Sequence, residues 1–257
     1  MTTSLNYKES FEKYYNSLKA LPMDIKKEEV EFHFESLADW SLFFSLKEVE
    51  SWYRRKVAEE KMNISDIPLN ECRGWVSKDE KIYHESGEFF EIVGVRVTKT
   101  QEREVGHVGW DQPLVRQVGF DGGILGLIRK RFDGVPHYLV QAKAEPGNPN
   151  LVQISPTLQA TFSNLKKAHK GRAPDYANFF EKPEKNSGII LYKQWLSEDG
   201  GRLYNKRNLN MLVEIPEEHP IVVKSESFIW ASLYQLKRCL HKDAWVSPHI
   251  RGIISHF

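Results

Sequence analysis

The stretch VQAKAEPG, Val140 to Gly147, ends a hydrophobic run with a lysine, a glutamate and a Pro-Gly pair. Side chains of extended backbone alternate between faces, so Gln141, Lys143 and Glu145 project together. An ammonium can polarise a carbonyl oxygen or deliver a proton, and a carboxylate can accept one. Gly147 has no Cβ, which lets another backbone or a ligand come close after Pro146. The plain alternative is a solvated strand end whose Lys143–Glu145 pair adds little to stability.

Three other segments crowd polar groups beside glycines and aromatics in the same way. They are WDQPLVRQ (Trp110 to Gln117), SPTLQATFSN (Ser155 to Asn164), and SEDGGR (Ser197 to Arg202) followed by NKRNLN (Asn205 to Asn210). Arg116 offers a guanidinium able to hold a diphosphate through paired hydrogen bonds. Glu198 is a second carboxylate and Arg207 a fixed cation, and they join Lys143 only if the fold brings the segments together. Each segment alone reads equally well as a turn or a solvated face.

The elements that must carry these groups are partly visible. Leu5, Phe11, Tyr14, Tyr15 and Leu18 recur at helical spacing over Ser4 to Ala20, and Leu21-Pro22 ends that helix. Ser45-Leu46-Lys47-Glu48 has the capping-box pattern, and Val49, Trp52, Tyr53 and Val57 continue a helix to about Met62. Phe89 to Val97 reads as a strand. Ile124 to Phe132 and Val135 to Ala144 read as a hairpin closed by Asp133-Gly134. Ala168 to Ser187 has no sustained period and reads as a long loop able to act as a lid. Gly188 to Trp195 and Asn208 to Ile215 are strand-like, and Ser225 to His241 reads as a helix. The expectation is one α+β domain over residues 1–257, an α/β/α sandwich with a mixed β-sheet flanked by helices. Residues 1–66 form its helical part, and residues 73–257 its sheet and remaining helices.

In their order, the four segments resemble the NDP-hexose 2,3-dehydratase family. The resemblance rests on Gln112-Pro113-Leu114, Gly134 to Gly147, Pro156 to Asn164, Ser197 to Arg202 and Asn205 to Glu214, with Trp52 a weaker match upstream. It implies a Nudix-hydrolase-like fold. It also implies removal of the C2 hydroxyl and C3 hydrogen from an NDP-4-keto-6-deoxyhexose, most commonly dTDP-linked, to give a 3,4-diketo-2,6-dideoxy sugar. That chemistry passes through an enolate and needs a base at C3, a donor at the C4 oxygen and an acid for the departing hydroxide. Lys143, Glu145 and Glu198 are the catalytic candidates. Trp52, Arg116, Gln141, Pro146, Gly147, Thr157, Gln159, Ser197, Gly200, Arg207 and Asn208 are the substrate-binding ones. Trp52 could stack on the base, although an aromatic beside Val49 on a helix is more often core. Familiar members carry two copies of the domain and this chain has room for one, which implies a homodimer or larger homo-oligomer. The alternatives are a non-catalytic nucleotide-sugar module and a hydrolase of the diphosphate.

Composition narrows the partners. With 40% apolar residues, 12% aromatics and a formal charge of +1, the 257-residue chain gives no electrostatic reason to expect nucleic acid or an anionic membrane. MTTSLNYKES has no signal-peptide pattern and no apolar run approaches the ~20 residues of a membrane span, so a cytoplasmic protein is expected. Cys72 and Cys239 form no CxxC pair, and the histidines show no HxH or HExxH spacing. Arg54 to Glu60 lacks the glycines of a cation-holding Nudix helix, and no GxGxxG follows a strand. A lyase without metal or other cofactor is expected.

Overall fold

The computed structural model describes residues 2–19, 26–98, 109–119, 122–165 and 174–256. Three helices lead: α1 (Thr2–Leu18), α2 (Lys27–Leu37) and α3 (Leu46–Glu59). Ser45 caps α3 by accepting from the Glu48 N–H, and the Glu48 carboxylate accepts from Ser45 N at 2.8 Å in return. Four antiparallel strands follow, β1 (Trp75–Lys78), β2 (Lys81–His84), β3 (Phe90–Val97) and β4 (Trp110–Gln117), paired in that order. The β1–β2 turn places Asp79 and Glu80 at φ of 52° and 60°, so a left-handed turn is made without glycine.

The second sheet holds the core. It comprises β5 (Gly123–Phe132), β6 (Val135–Ala144), β7 (Val152–Ser155), β8 (Leu158–Thr161), β9 (Ile189–Ser197), β10 (Arg207–Ile215) and β11 (Phe228–Ala231). Its order is β11-β6-β5-β10-β9, with β7 on β6 and β8 on β5. Among the described strand pairings of this sheet β5–β10 alone is parallel, so the sheet is mixed. Asp133 and Gly134 adopt φ of 48° and 78°, the geometry expected of the tight β5–β6 turn.

Both faces of this sheet are covered. On one, Leu127, Tyr138, Val140 and Leu212 pack with α3 and with α6 (Leu233–Cys239) and α7 (Pro248–Ile254). On the other, Ile128, Leu139, Met211 and Trp230 pack with Leu165 of α4 (Phe162–Leu165) and Phe179 and Phe180 of α5 (Asn178–Glu181). The layering is the helix–sheet–helix sandwich expected of the sequence.

Two elements differ from expectation. Residues 225–241 are not one helix: Phe228 to Ala231 form β11, and Ser232 then caps α6. A strand buried on both faces is apolar throughout, so it loses the alternation that would distinguish it from a helix. In the expected loop 168–187, residues up to 173 lie outside those described. Beyond them α5 and a short 3-10 turn at Pro183–Asn186 bring Tyr176, Phe179 and Phe180 into the core. Neither α2 nor the β1–β2 ribbon was expected.

Candidate active site

Strand β6 pairs with β5 only through Leu139 and then diverges, pairing with β7 from Gln141 to Ala144. Strand β8 fills the gap beside β5, with Gln159 opposite Leu125. Thr157 fixes the entry to β8: its hydroxyl accepts from Ile128 N at 2.9 Å and donates to the Leu139 carbonyl. Gly123 permits the approach of β8 to β5, because a Cβ there would lie 2.3 Å from the Ala160 carbonyl oxygen.

Around this gap the alternation of β6 takes effect. Ala142 and Ala144 pack toward one core, while Gln141, Lys143 and Glu145 lie on the other side of the strand. The Lys143 ammonium lies 3.4 Å from the Gln159 carbonyl and 3.4 Å from a Glu145 carboxylate oxygen. The Gln159 side-chain amide donates to Glu145 at 2.9 Å, and its own carbonyl oxygen is buried without a partner among the described residues. An unmet buried acceptor costs about 1–3 kcal/mol. Gln141 donates to the Pro156 carbonyl, and Pro146 and Gly147 form the turn closed by Asn148 N donating to Glu145 O at 3.1 Å.

The adjoining ends of β9 and β10 bring the second half. Asn208 is buried and its amide donates to Glu198, while Asn210 donates to the Asn208 carbonyl at 3.0 Å. Ser197 pairs with Arg207 in the ladder, Gly200 lies in the connecting turn, and the Arg207 guanidinium sits 4.8 Å above the Trp195 ring. Helix α7 joins the halves through His249, whose Nδ1 is 3.9 Å from Glu198 Oε1. Burial holds the His249 imidazole below its ordinary pKa, against the upward pull of Glu198 and Glu145 and with Lys143 and Lys206 adding to the fall. Lys143, Glu145, Gln159, Glu198 and Asn208 thus share one neighbourhood with His249.

Two expected site residues are engaged elsewhere. Arg116 is ion-paired with Glu91 across the β3–β4 register, its Nε donating at 2.6 Å. Trp52 is buried on α3, with its indole N–H donating to the Glu226 carbonyl at 2.9 Å. His249 had no sequence signal of its own. Only Ser247-Pro248, a cap followed by a proline at the first turn, announces the helix that carries it.

A cavity of about 800 Å³ lies away from these residues, between α1, α2 and the β5–β6 turn. Two of its arginines are ion-paired: Arg129 binds Glu31 and Glu35 at 3.2 and 2.6 Å, and Arg131 binds Glu31 at 2.7 Å. These pairs lock α2 to β5. Among the described residues no three His, Cys, Asp or Glu side chains converge to hold a metal ion, and no helix is long and apolar enough to cross a membrane.

Residues 46–257 match the sequence model of a family described as NDP-hexose 2,3-dehydratase. The dTDP-4-dehydro-6-deoxy-alpha-D-glucopyranose 2,3-dehydratase of Saccharopolyspora spinosa is 36% identical over 211 residues, 81% of this chain and 41% of that protein. Proteins of the same name from Amycolatopsis orientalis and Streptomyces violaceoruber are 35% and 36% identical, over 81% and 80% of this chain and 44% and 45% of their own lengths. The chain therefore spans less than half the length of these relatives. Among solved structures, a Nudix hydrolase from M. smegmatis matches 53% of this chain and 83% of its own at 12% identity and a TM-score of 0.33. A C. elegans Ap4A hydrolase matches 46% of this chain and 86% of its own, at 14% identity and a TM-score of 0.27.

Proposed function

Since the chain belongs to the NDP-hexose 2,3-dehydratase family, we propose that it removes water across C2 and C3 of an NDP-4-keto-6-deoxyhexose, with dTDP as the carrier, in deoxysugar biosynthesis. The observation that carries this reading is the convergence of Lys143, Glu145 and Glu198 around His249. Eliminating hydroxide beside a ketone requires a cation or donor at the keto oxygen and groups that move protons on either side of the C2–C3 bond. Lys143 supplies the cation, polarising the C4 oxygen as negative charge develops there. Glu145 and Glu198 supply the carboxylates that line the path of the proton transfers. Arg207, held over the Trp195 ring, is the cation assigned to the diphosphate.

The site is worked by a homodimer or larger homo-oligomer, supported by the exposure of Ile189 and Ile190 on β9, the open edge of the large sheet. The purified chain, given dTDP-4-keto-6-deoxyglucose with and without a chelator, tests the reading by mass spectrometry. Loss of one water from the sugar nucleotide, unchanged by chelator, is expected. Release of dTMP and sugar phosphate selects a diphosphate hydrolase, and binding without turnover selects a non-catalytic module.

A further inference from the structure

His249 reaches the site by a route independent of the four sequence segments. Ser247 N donates to the Ile154 carbonyl at 3.0 Å, tying the start of α7 to β7, and the Ser247 hydroxyl accepts from Ile250 N. Ile250, Ile253 and Ile254 are buried against the sheet, so the helix cannot roll without exposing them. Gly252, one turn beyond His249, lies against Asn210 and Leu196: a Cβ there would be 3.4 Å from each. Residues three apart share a helix face. His249 is therefore aimed at the next rung of the β9–β10 ladder, where Asn208 holds Glu198.

We propose that His249 is the general base of the dehydration, taking the proton from C3 of the sugar while Glu198 holds its ring. This inference rests on the dehydratase reading of the site. Nδ1 faces Glu198, which leaves Nε2 on the far side of the ring for the substrate. The C3–H bond breaks, its proton passes to Nε2, and its electron pair enters the enolate that Lys143 stabilises. That pair then forms the C2–C3 double bond as the C2–O bond breaks. The departing hydroxide takes the proton from the imidazolium and leaves as water, so the imidazole ends neutral as it began. The histidine suits this cycle because it starts uncharged and its cationic form would lie beside Glu198 and Glu145. The charged groups acting on it are Glu198 just past β9, Lys206 from the β9–β10 connection, Lys143 at the end of β6 and Glu145 just past it.

The test uses the full chain, His249→Ala and His249→Gln, with melting and dTDP binding measured beside kcat and kcat/KM from pH 5 to 9. Both variants are expected to melt and bind dTDP like the wild type. Their kcat should fall by ~10²–10⁴, the usual contribution of a positioned base, and the acid limb of the wild-type profile should disappear. If His249→Ala melts early, the glutamine variant carries the comparison. A folded variant with kcat within about threefold of wild type, or with the acid limb intact, overturns the assignment alone. A wild-type chain that makes no dehydrated product overturns the dehydratase reading and takes this assignment with it.

Discussion

Lys143 is held by contacts long enough to be surrendered to a ligand. Its two partners are both at 3.4 Å and its side chain keeps 28% of its exposure, so little folding energy depends on it. Lys143→Ala is therefore expected to melt within a few degrees of wild type while losing ~10²–10³ in kcat, the loss typical of removing one stabiliser of a developing oxyanion. Thermal melts beside steady-state rates check this, and a folded variant with wild-type rates would remove Lys143 from the mechanism. At this scale the sequence was informative where strand alternation applied: it put Gln141, Lys143 and Glu145 on one side of a strand. It was uninformative for His249, because a lone histidine acquires meaning only when α7 is laid over β9 and β10. Arg116 and Trp52, which residue type suggests for ligand contacts, also hold an ion pair and a buried indole hydrogen bond with their strand and helix neighbours.

The elements around the site work by close approach and by burial. Gly123 lets β8 sit against β5, and a methyl group there would meet the Ala160 backbone at 2.3 Å. A backbone neighbour cannot rotate away, so Gly123→Ala is expected to cost roughly 1–3 kcal/mol. It should also lower turnover more than dTDP binding by shifting Gln159. Urea unfolding with parallel kinetics measures both, and an equally stable, fully active variant would contradict this account of the gap.

His137 ties the loop before α3 to β6, since its Nε2 accepts from Leu42 N at 3.0 Å. Burial pushes its pKa down to about 4. The unfolded chain binds a proton near pH 6.5 and the folded chain does not, so stability is full above that pH. It falls between about pH 6.5 and 4, by up to ~3 kcal/mol from this residue. Denaturant midpoints at pH 7.5 and 5 should show the loss, and His137→Asn should flatten it. The hairpin β5–β6 was legible because Asp-Gly declares its turn. The β1–β2 ribbon was hidden because Asp79 and Glu80 take positive φ without a glycine, and β11 because burial on both faces erased its period.

The whole chain spans less than half the length of the relatives it matches, and one copy of the site stands on one copy of the mixed sheet. A homo-oligomer would supply the second copy. Sedimentation equilibrium is expected to give a mass at least twice the 29.9 kDa of the chain, and a monomer at assay concentration would contradict that reading. The helix–sheet–helix layering follows from apolar runs long enough to need cover on both faces, which is why fold class was readable where individual elements were not. If the Lys143–Glu198–His249 neighbourhood eliminates water from a 4-keto sugar nucleotide, proton NMR of dTDP-4-keto-6-deoxyglucose with the protein in deuterium oxide is expected to show loss of the C3 proton signal and a 3,4-diketo-2,6-dideoxy sugar carrying deuterium at C2. A sugar that keeps its C3 proton and C2 hydroxyl in the presence of folded, nucleotide-binding protein would contradict that elimination.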